Sequence, residues 1–365
     1  MTPPTTTNSK GEDIAYMQRC CELAAKAAGH TAPNPLVGSV IVQHQDIVGE
    51  GFHPRAGAPH AEIFALRAAG DKANGATLYV NLEPCNHTGR TPPCSDAIIQ
   101  AGIRRVVIGM KDPNPKASGG IEKLQAAGID VTVGIEKAAC QQLNEAFIHR
   151  VTHHRPFGIL KYAMTLDGKI ATTTGHSAWV SGPESRAQVH QLRSRCDAVI
   201  VGGNTVRLDN PRLTSHGQGD RNPLRVVMSK QLNLPTAANL WDTTVAPTLV
   251  LCQTNADQAI ADELQQQGVE IIQMETLTPE GAMDVLYERG AMSVLWECGG
   301  TLAAAAIAAN TVQKVWAFIA PKLVGGQSAP TPICDLGIEY MSAAKSLSRT
   351  TLSQVGHDFL LQGYL

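Results

Sequence analysis

The first half of the sequence contains one histidine and two cysteines whose types and spacing suit a catalytic zinc site. They are His60, Cys85 and Cys94, and Glu62 stands two residues after the histidine. One imidazole and two thiolates supply three zinc ligands and leave a fourth position for water. Zinc lowers the pKa of that water from about 15.7 to about 7, and a nearby carboxylate can carry its proton to a leaving amine. The pattern predicts a zinc-dependent hydrolytic enzyme with Glu62 as its catalytic residue.

Spacing alone leaves two other interpretations of these residues open. The three side chains could form a structural zinc site, or they could be a core histidine beside two buried thiols. Structural zinc sites usually have four protein ligands, and the sequence offers three here. The three-ligand set therefore favours catalysis.

Two helices are expected to position the ligands. Apolar spacing predicts a helix over Ala61–Ala69, directly after His60. A second helix is predicted over Ser95–Ala101, directly after Cys94. Both ligands would then lie at helix amino termini, where the helix dipole favours thiolate and hydroxide.

Strand-like and helix-like segments alternate along the whole chain, which predicts α/β layers around sheets. A length of 365 residues suggests two domains. The pattern predicts a helix over Ala138–His149, a solvated linker over His149–Pro156 and then a new strand over Phe157–Ala163. The linker is polar and basic, and no cysteine or carboxylate accompanies its histidines. We therefore predict domains at 1–152 and 153–365.

The composition excludes several classes of protein. A formal charge of -2 with 4% aromatic residues lacks the basic stripes and stacking rings of a broad nucleic-acid surface. No apolar run reaches the roughly 18 residues of a membrane-spanning helix. The nine cysteines form no regular framework, and the amino terminus is polar rather than signal-like. We expect a cytoplasmic enzyme that binds neither nucleic acid nor membrane.

A glycine pair in the second half could bind a nucleotide. Gly299-Gly300 follows a predicted strand over Met292–Trp296 and opens a predicted helix over Thr301–Asn310. Backbone amides at such a helix start can bind pyrophosphate, whereas a tight turn with close helix packing would need the same glycines. No G-x-G-x-x-G fingerprint accompanies the pair, so this signal alone decides nothing.

Longer motifs resemble a known family. His60-Ala61-Glu62 and Pro84-Cys85 are similar to the signature of zinc-dependent nucleobase deaminases, although the two cysteines here stand nine residues apart. The run Glu83–Cys94 resembles the hallmark of the bifunctional riboflavin-biosynthesis deaminase–reductases. Further similar segments are Thr31–Gly38, Gly49–His53, Leu160–Ala171, Gly175–Trp179, Leu192-Arg193, Asp197–Gly202, Thr205–Pro211 and Glu297–Leu302.

The resemblance implies a fold and an activity. It implies an amino-terminal cytidine-deaminase-like three-layer domain and a carboxy-terminal dihydrofolate-reductase-like α/β domain. The first would use zinc to remove the exocyclic amine from a diaminopyrimidinone that carries a phosphoribosylamino group. The second would use NADPH to reduce the ribosyl group to a ribityl side chain. A homo-oligomer, either a dimer or a tetramer, is also expected.

The resemblance also implies the residues of both sites. In the deaminase the substrate would contact Asn34, His53 and Arg90, unless Asn34 only shapes its loop and Arg90 is only a solvated charge. The residues implied for the reductase substrate are Lys161, Ser177, Arg193, Leu213 and Glu297. The residues implied for the cofactor site are Ala163, Trp179, Thr205, Asp209, Gly299, Gly300, Thr301, Leu302, Ala303, Ala304 and Ala305.

Some features of the second half leave alternatives open. Trp179 could equally be a core aromatic residue. His216 stands where the family often has an arginine, and Lys230 replaces a small hydroxyl residue. Two other functions also fit parts of the pattern: a nucleic-acid base deaminase with an accessory nucleotide-binding domain, and a non-catalytic zinc module joined to a nucleotide-binding module.

Overall fold

The computed structural model describes residues 9–87 and 92–365. The chain divides into two compact units, Met1–His154 and Arg155–Leu365. Each unit has a β-sheet of its own with helices packed against it. The predicted alternation of strands and helices is therefore confirmed in both halves.

The first unit is built on a five-stranded sheet. Its strands are β1 (Gly38–Gln43), β2 (Asp46–Phe52), β3 (Thr77–Leu82), β4 (Arg105–Met110) and β5 (Asp130–Val133). The order across the sheet is β2-β1-β3-β4-β5. The strand β1 pairs antiparallel with β2 and β3, whereas β3, β4 and β5 run parallel. The parallel strands bring their carboxyl ends, and the residues that follow them, to one edge of the sheet.

Helices cover both faces of this sheet and make three layers. They are α1 (Ser9–Ala25), α2 (Ala61–Ala69), α3 (Cys94–Gln100), α4 (Gly120–Ala126), α5 (Lys137–Leu143) and α6 (Glu145–His153). One core cluster joins the α2, α3 and α4 side to the sheet, through buried residues such as Ala65, Leu78 and Ile98. The helices α1 and α5 pack on the strands and on each other. Gly51 lets α2 lie close to β2, because a Cβ there would stand 2.5 Å from the carbonyl oxygen of Ala61.

Two predictions at the end of this unit are wrong. The single helix expected over Ala138–His149 is two helices, because the backbone of Asn144 leaves the helical region between α5 and α6. The linker expected over His149–Pro156 is helical as far as His153, where the rings of His149 and His153 stack one turn apart. The segment was predicted to be a linker because it is polar. It is the end of the amphipathic helix α6, which packs on the unit through buried Phe147.

The second unit contains a nine-stranded sheet of order β10-β9-β8-β7-β11-β6-β12-β14-β13. The first seven strands in this order are parallel, and β14 and β13 add antiparallel pairs at one edge. The strands are β6 (Phe157–Thr165), β7 (Ala198–Gly202), β8 (Leu224–Met228), β9 (Thr248–Gln253), β10 (Glu270–Met274), β11 (Ser293–Trp296), β12 (Lys314–Ala320), β13 (Ser348–Val355) and β14 (Asp358–Tyr364).

Five helices accompany the second sheet, and its core joins central strands to α10 and α11. They are α7 (Pro183–Arg195), α8 (Gly203–Asp209), α9 (Gln258–Gln266), α10 (Pro279–Glu288) and α11 (Gly300–Ala308). Buried Leu160, Ile200 and Trp296 belong to that core. The sequence pattern did not predict α8, which is short and begins at Gly203, the second glycine of the Gly202-Gly203 pair. In the part of the chain that the structure describes, none of the helices is both long and apolar enough to cross a bilayer.

Candidate functional site

The structure brings His60, Cys85 and Cys94 together in the first unit. One ligand atom from each residue lies within 4.8 Å of the other two. The Nδ1 atom of His60 is 3.2 Å from the sulfur of Cys94 and 3.5 Å from the sulfur of Cys85. Three soft donors at these separations suit one tetrahedral zinc ion with its fourth position open.

The fold explains why these three side chains meet. Cys85 follows β3 at the carboxyl edge of the sheet, after Glu83 and Pro84. His60 is the residue that caps α2, and Cys94 is the first residue of α3. The backbone N–H of Cys94 donates to the sulfur of Cys85 at 3.4 Å, which stabilises negative charge on that sulfur. The predicted placement of both ligands at helix amino termini is therefore confirmed.

The electrostatics of the cluster also favour a cation. A hydrogen bond from the thiol of Cys94 lowers the pKa of the Cys85 thiol, and the nearby His60 lowers it further. The interaction between the two thiols raises the pKa of Cys94, and burial adds to the effect. A divalent cation bound between the two sulfurs would favour the thiolate form of both.

Glu62 lies in the first turn of α2 and is buried, with 3% of its surface exposed. Burial raises the pKa of its carboxyl group to about 7. The Oε2 atom has no hydrogen-bond partner among the described residues. A buried oxygen left unpaired costs free energy unless a ligand satisfies it. The three donor atoms therefore fit a zinc ion, and the unpartnered oxygen of Glu62 fits a hydrogen bond to a molecule bound at that ion.

Asn34 and His53 meet beside the zinc ligands. The Nδ2 atom of Asn34 is 3.1 Å from Nε2 of His53, whose Nδ1 lies 3.0 Å from the carbonyl oxygen of Pro59. That carbonyl can only accept, so Nδ1 donates to it and Nε2 accepts from Asn34. Burial lowers the pKa of His53, which agrees with this neutral tautomer. The rings of His53 and His60 lie 5.5 Å apart. Arg90, the third implied contact, lies outside the described residues.

A second cluster of charged side chains lies in the other unit. Glu297 follows β11, and its carboxylate accepts hydrogen bonds from Arg193 of α7 at 2.5 and 3.0 Å. The Nζ atom of Lys161, on β6, is 3.5 Å from the same carboxylate. Only 8% of the Glu297 side chain is exposed. Two cations around one buried carboxylate leave a net positive charge, which suits a phosphorylated substrate.

This cluster shifts the pKa of Glu297. Burial opposes ionisation, but the charges of Arg193 and Lys161 outweigh it and lower the pKa of Glu297 to about 2. Burial in turn lowers the pKa of Lys161, against the attraction of Glu297. The carboxylate is therefore ionised at any pH at which the protein works.

A pH dependence of stability follows from Glu297. Between pH 5 and pH 3 the free energy of unfolding should fall by on the order of 2 kcal/mol more in the wild-type chain than in Glu297→Gln. The folded-state pKa is depressed, so this stabilisation is complete above the unfolded value and is lost as the pH falls towards about 2. Urea unfolding followed by tryptophan fluorescence measures it, since all four tryptophans lie in the second unit. Parallel pH profiles in the two proteins would contradict the prediction.

Sequence reasoning missed His190, which lies one turn before Arg193 on α7. The centre of its ring lies 4.2 Å from that of His216, and the two rings are stacked. Burial and then the charge of Arg193 lower the pKa of His190 to about 4, so the ring is neutral at neutral pH. Arg193 also donates to the carbonyl oxygen of Thr214, next to buried Leu213. The i, i+3 spacing of His190 and Arg193 was the available signal.

The implied cofactor residues gather where two parallel strands end. The strands β7 and β11 are neighbours; α8 begins directly after β7, and three residues separate the end of β11 from the start of α11. A Cβ added to Gly202 would lie 3.6 Å from a methyl group of Leu302, so the two helix starts are adjacent. Thr205 and Asp209 belong to α8, and the run from Gly300 belongs to α11.

The start of α11 has room for a phosphate group. Its cap is Gly299, which offers no side-chain hydrogen bond to the free amides, and a Cβ there would meet nothing within 4 Å. At Gly300 a Cβ would stand 2.6 Å from the carbonyl oxygen of Thr331. One glycine therefore opens the backbone to a ligand, and the other is required for packing. Free amides with open space around them fit the phosphates of a dinucleotide.

Three implied residues lie apart from these helix starts in the chain. Ala163 is on β6, and Ser177 and Trp179 are on the segment between β6 and α7. Trp179 is 70% exposed, with the guanidinium of Arg186 stacked 4.7 Å from its ring centre. The interpretation of Trp179 as a core aromatic residue is therefore wrong, and its contact with a cofactor stays a prediction.

Comparisons with known proteins find family matches in both halves of the chain. Residues 156–361 match the family described as the RibD C-terminal domain. Residues 10–110 match the cytidine and deoxycytidylate deaminase zinc-binding region. The match to a deaminase zinc-binding region favours catalysis over a non-catalytic zinc module.

Relatives extend over both halves. The chain is 60% identical to the riboflavin biosynthesis protein RibD of Synechocystis sp., covering 97% of this chain and 96% of that protein. It is 38% identical to RibD of Escherichia coli, covering 96% and 98%. A crystal structure of a diaminohydroxyphosphoribosylaminopyrimidine deaminase/5-amino-6-(5-phosphoribosylamino)uracil reductase from Thermotoga maritima has a TM-score of 0.88 at 35% identity, covering 98% and 99%. The predicted cytidine-deaminase-like and dihydrofolate-reductase-like domains are thereby confirmed. The chain belongs to the RibD family of bifunctional riboflavin-biosynthesis enzymes, in which a zinc-dependent deaminase domain precedes an NADPH-dependent reductase domain.

Proposed function

We propose that this chain catalyses two successive reactions on one phosphoribosylated pyrimidine. The first is hydrolytic loss of an exocyclic amine as ammonia, and the second is NADPH-dependent reduction of the ribosyl group to ribityl. We assign the deaminase to residues 1–152 and the reductase to residues 153–365. The observation that carries the proposal is the cluster of His60, Cys85 and Cys94 beside the buried, unpartnered carboxyl oxygen of Glu62.

In the deaminase each residue has a distinct role. His60, Cys85 and Cys94 would hold zinc, which when bound supplies an activated water at neutral pH. Glu62 takes a proton at Oε2 and returns it to the departing amine, for which its raised pKa is suited. Asn34 offers its amide to the polar edge of the pyrimidine, and neutral His53 holds Asn34 in place.

In the reductase the charged cluster binds and orients the sugar phosphate. NADPH, when bound along the starts of α8 and α11, supplies the hydride. Arg193 and Lys161 attract the phosphate, and Glu297 keeps both cations in a fixed arrangement. Ser177 and Leu213 complete the substrate contacts in this assignment.

The order of the two reactions can be tested by product mass. Incubated with the diaminopyrimidine substrate alone, the purified chain should release ammonia and give a product with one oxygen in place of one amine. Addition of NADPH should raise the product mass by two hydrogens. Mass spectrometry of both mixtures measures this. A two-hydrogen gain without loss of the amine would contradict the proposed order, and the absence of either change would contradict that activity.

We also propose that the chain forms a homo-oligomer. The strand β13 is an edge strand, and Tyr340, Met341 and Leu352 in or before it are between 65% and 88% exposed. Large apolar side chains exposed near a sheet edge favour association with another copy.

The nine free cysteines agree with a reducing compartment such as the cytoplasm. The absence of nucleic acid and membrane partners stays a prediction.

A further inference from the structure

The loop before β1 carries Asn34, and two buried asparagines bind its backbone. Asn144 accepts a hydrogen bond from the N–H of Leu36 at 2.8 Å and donates to the carbonyl oxygen of Leu36 at 2.9 Å. Asn81 donates to the same carbonyl at 2.9 Å and accepts from the N–H of Gly38 at 2.8 Å. The oxygen and the nitrogen of each side-chain amide are therefore bonded to the backbone of Leu36 or Gly38.

Neither asparagine is explained by its own element. Asn81 is fully buried on β3, between Val80 and Leu82, where an asparagine is unfavourable in a strand. Asn144 is 2% exposed at the break between α5 and α6, and its side chain does not cap the helix that follows. Burying an amide costs free energy that its hydrogen bonds must offset. What these amides bind is the loop.

A continuous set of contacts leads from this loop to the zinc ligands. The carbonyl oxygen of Val37 accepts from the backbone N–H of His53 at 2.9 Å. The ring of His53 then joins the side chain of Asn34 to the carbonyl oxygen of Pro59, the residue before His60. A shift of Leu36 would therefore move the amide of Asn34 relative to the metal site.

We propose that Asn81 and Asn144 are positioning residues of the deaminase, which set the place of Asn34 by holding Leu36. This rests on the proposed function, because Asn34 must bind the pyrimidine for its place to matter. Asn144 lies beyond residues 10–110, the part that matches the deaminase zinc-binding region. The matched region binds the backbone of the loop through the side chain of Asn81. The α5–α6 segment adds a second set of hydrogen bonds to the same loop, through Asn144.

The variant Asn144→Ala tests the proposal. Its KM for the diaminopyrimidine should rise by about tenfold, with kcat within about threefold, because the misplaced group binds substrate and takes no proton. Zinc per chain should be unchanged, and so should the reductase rate with deaminated substrate. The control is Gln43→Ala, which removes one side-chain hydrogen bond, to the carbonyl oxygen of Asn74, at the other end of β1. It should leave KM unchanged.

A double-mutant cycle separates positioning from general stability. Asn34→Ala with Asn144→Ala should raise KM no further, within about twofold, than Asn34→Ala alone, because Asn144 acts through Asn34. Additive effects, or an unchanged KM in Asn144→Ala, would overturn the proposal. An unchanged KM in Asn34→Ala would instead remove Asn34 from the proposed substrate site.

A second variant at the same position tests the proposal if Asn144→Ala does not fold. Asn144→Ser brings no charge into the buried site and keeps a hydroxyl group that can bond to the backbone of Leu36. It should show a smaller rise in KM than Asn144→Ala, with zinc retained. Loss of zinc in both variants would overturn the proposal and show that Asn144 has a general structural role.

Discussion

Deamination by the Glu62→Gln variant should be slower than in the wild-type chain by about 10³- to 10⁴-fold in kcat. Glutamine keeps the size of the side chain and cannot take or return a proton. The carboxyl group lies at a helix start beside the three ligand residues and is not needed to hold the metal. Zinc per chain and the reductase rate should therefore stay within about twofold of wild type. Ammonia release, elemental analysis and NADPH oxidation measure the three quantities.

A matched control for this variant is Glu50→Gln in the same unit. Glu50 is part-buried and pairs with Arg19 at 2.7 Å, so the substitution also removes one carboxylate charge. It should change the deamination rate by less than about threefold. An unchanged rate in Glu62→Gln would remove this residue from the mechanism, and loss of zinc from it would make Glu62 part of the metal site.

The second large effect is expected at the other site. Glu297→Gln should lower kcat/KM of the reductase by about 10²-fold, because Arg193 and Lys161 then lose the charge that fixes their arrangement. Removing one partner from a buried ion pair should also destabilise the second unit by roughly 3–5 kcal/mol. NADPH oxidation with the deaminated pyrimidine and urea unfolding followed by tryptophan fluorescence measure these effects. Deamination should be unchanged.

The control for Glu297 is Glu270→Gln. Glu270 pairs with Arg289, and half of its side chain is exposed, so its loss should cost less than about 1 kcal/mol and leave reduction unchanged. Partial recovery of reductase activity in Glu297→Asp would support the role of the carboxylate. Equal losses of reductase activity in Glu270→Gln and Glu297→Gln would contradict it.

The zinc site was predictable from sequence because its chemistry is local. His60, Cys85 and Cys94 each stand at the start of a helix or the end of a strand, and these boundaries follow from apolar spacing. Strands such as Thr77–Leu82 and Arg105–Met110 were predictable because nearly all of their residues form one short buried run. Helix α8 was missed because it has only seven residues, starts at the second glycine of a pair and carries no amphipathic period.

The holds on the substrate loop were not predictable in this way. The amide of Asn144 reaches Leu36 across 108 positions of the chain, and that of Asn81 reaches Gly38 across 43. No spacing rule joins residues so far apart. The prediction of one helix over Ala138–His149 was wrong for the same reason. Asn144 separates α5 from α6, and its side chain binds the distant residue Leu36, which local spacing does not reveal.

Each sheet is completed by strands from its own part of the chain, so a cut between His154 and Arg155 would separate no paired strands. The coding sequence could accordingly be divided there into two genes, each specifying a polypeptide with an intact core. Selection can then retune either activity, and recombination can place either half beside a different neighbour, without removing a strand from the other sheet.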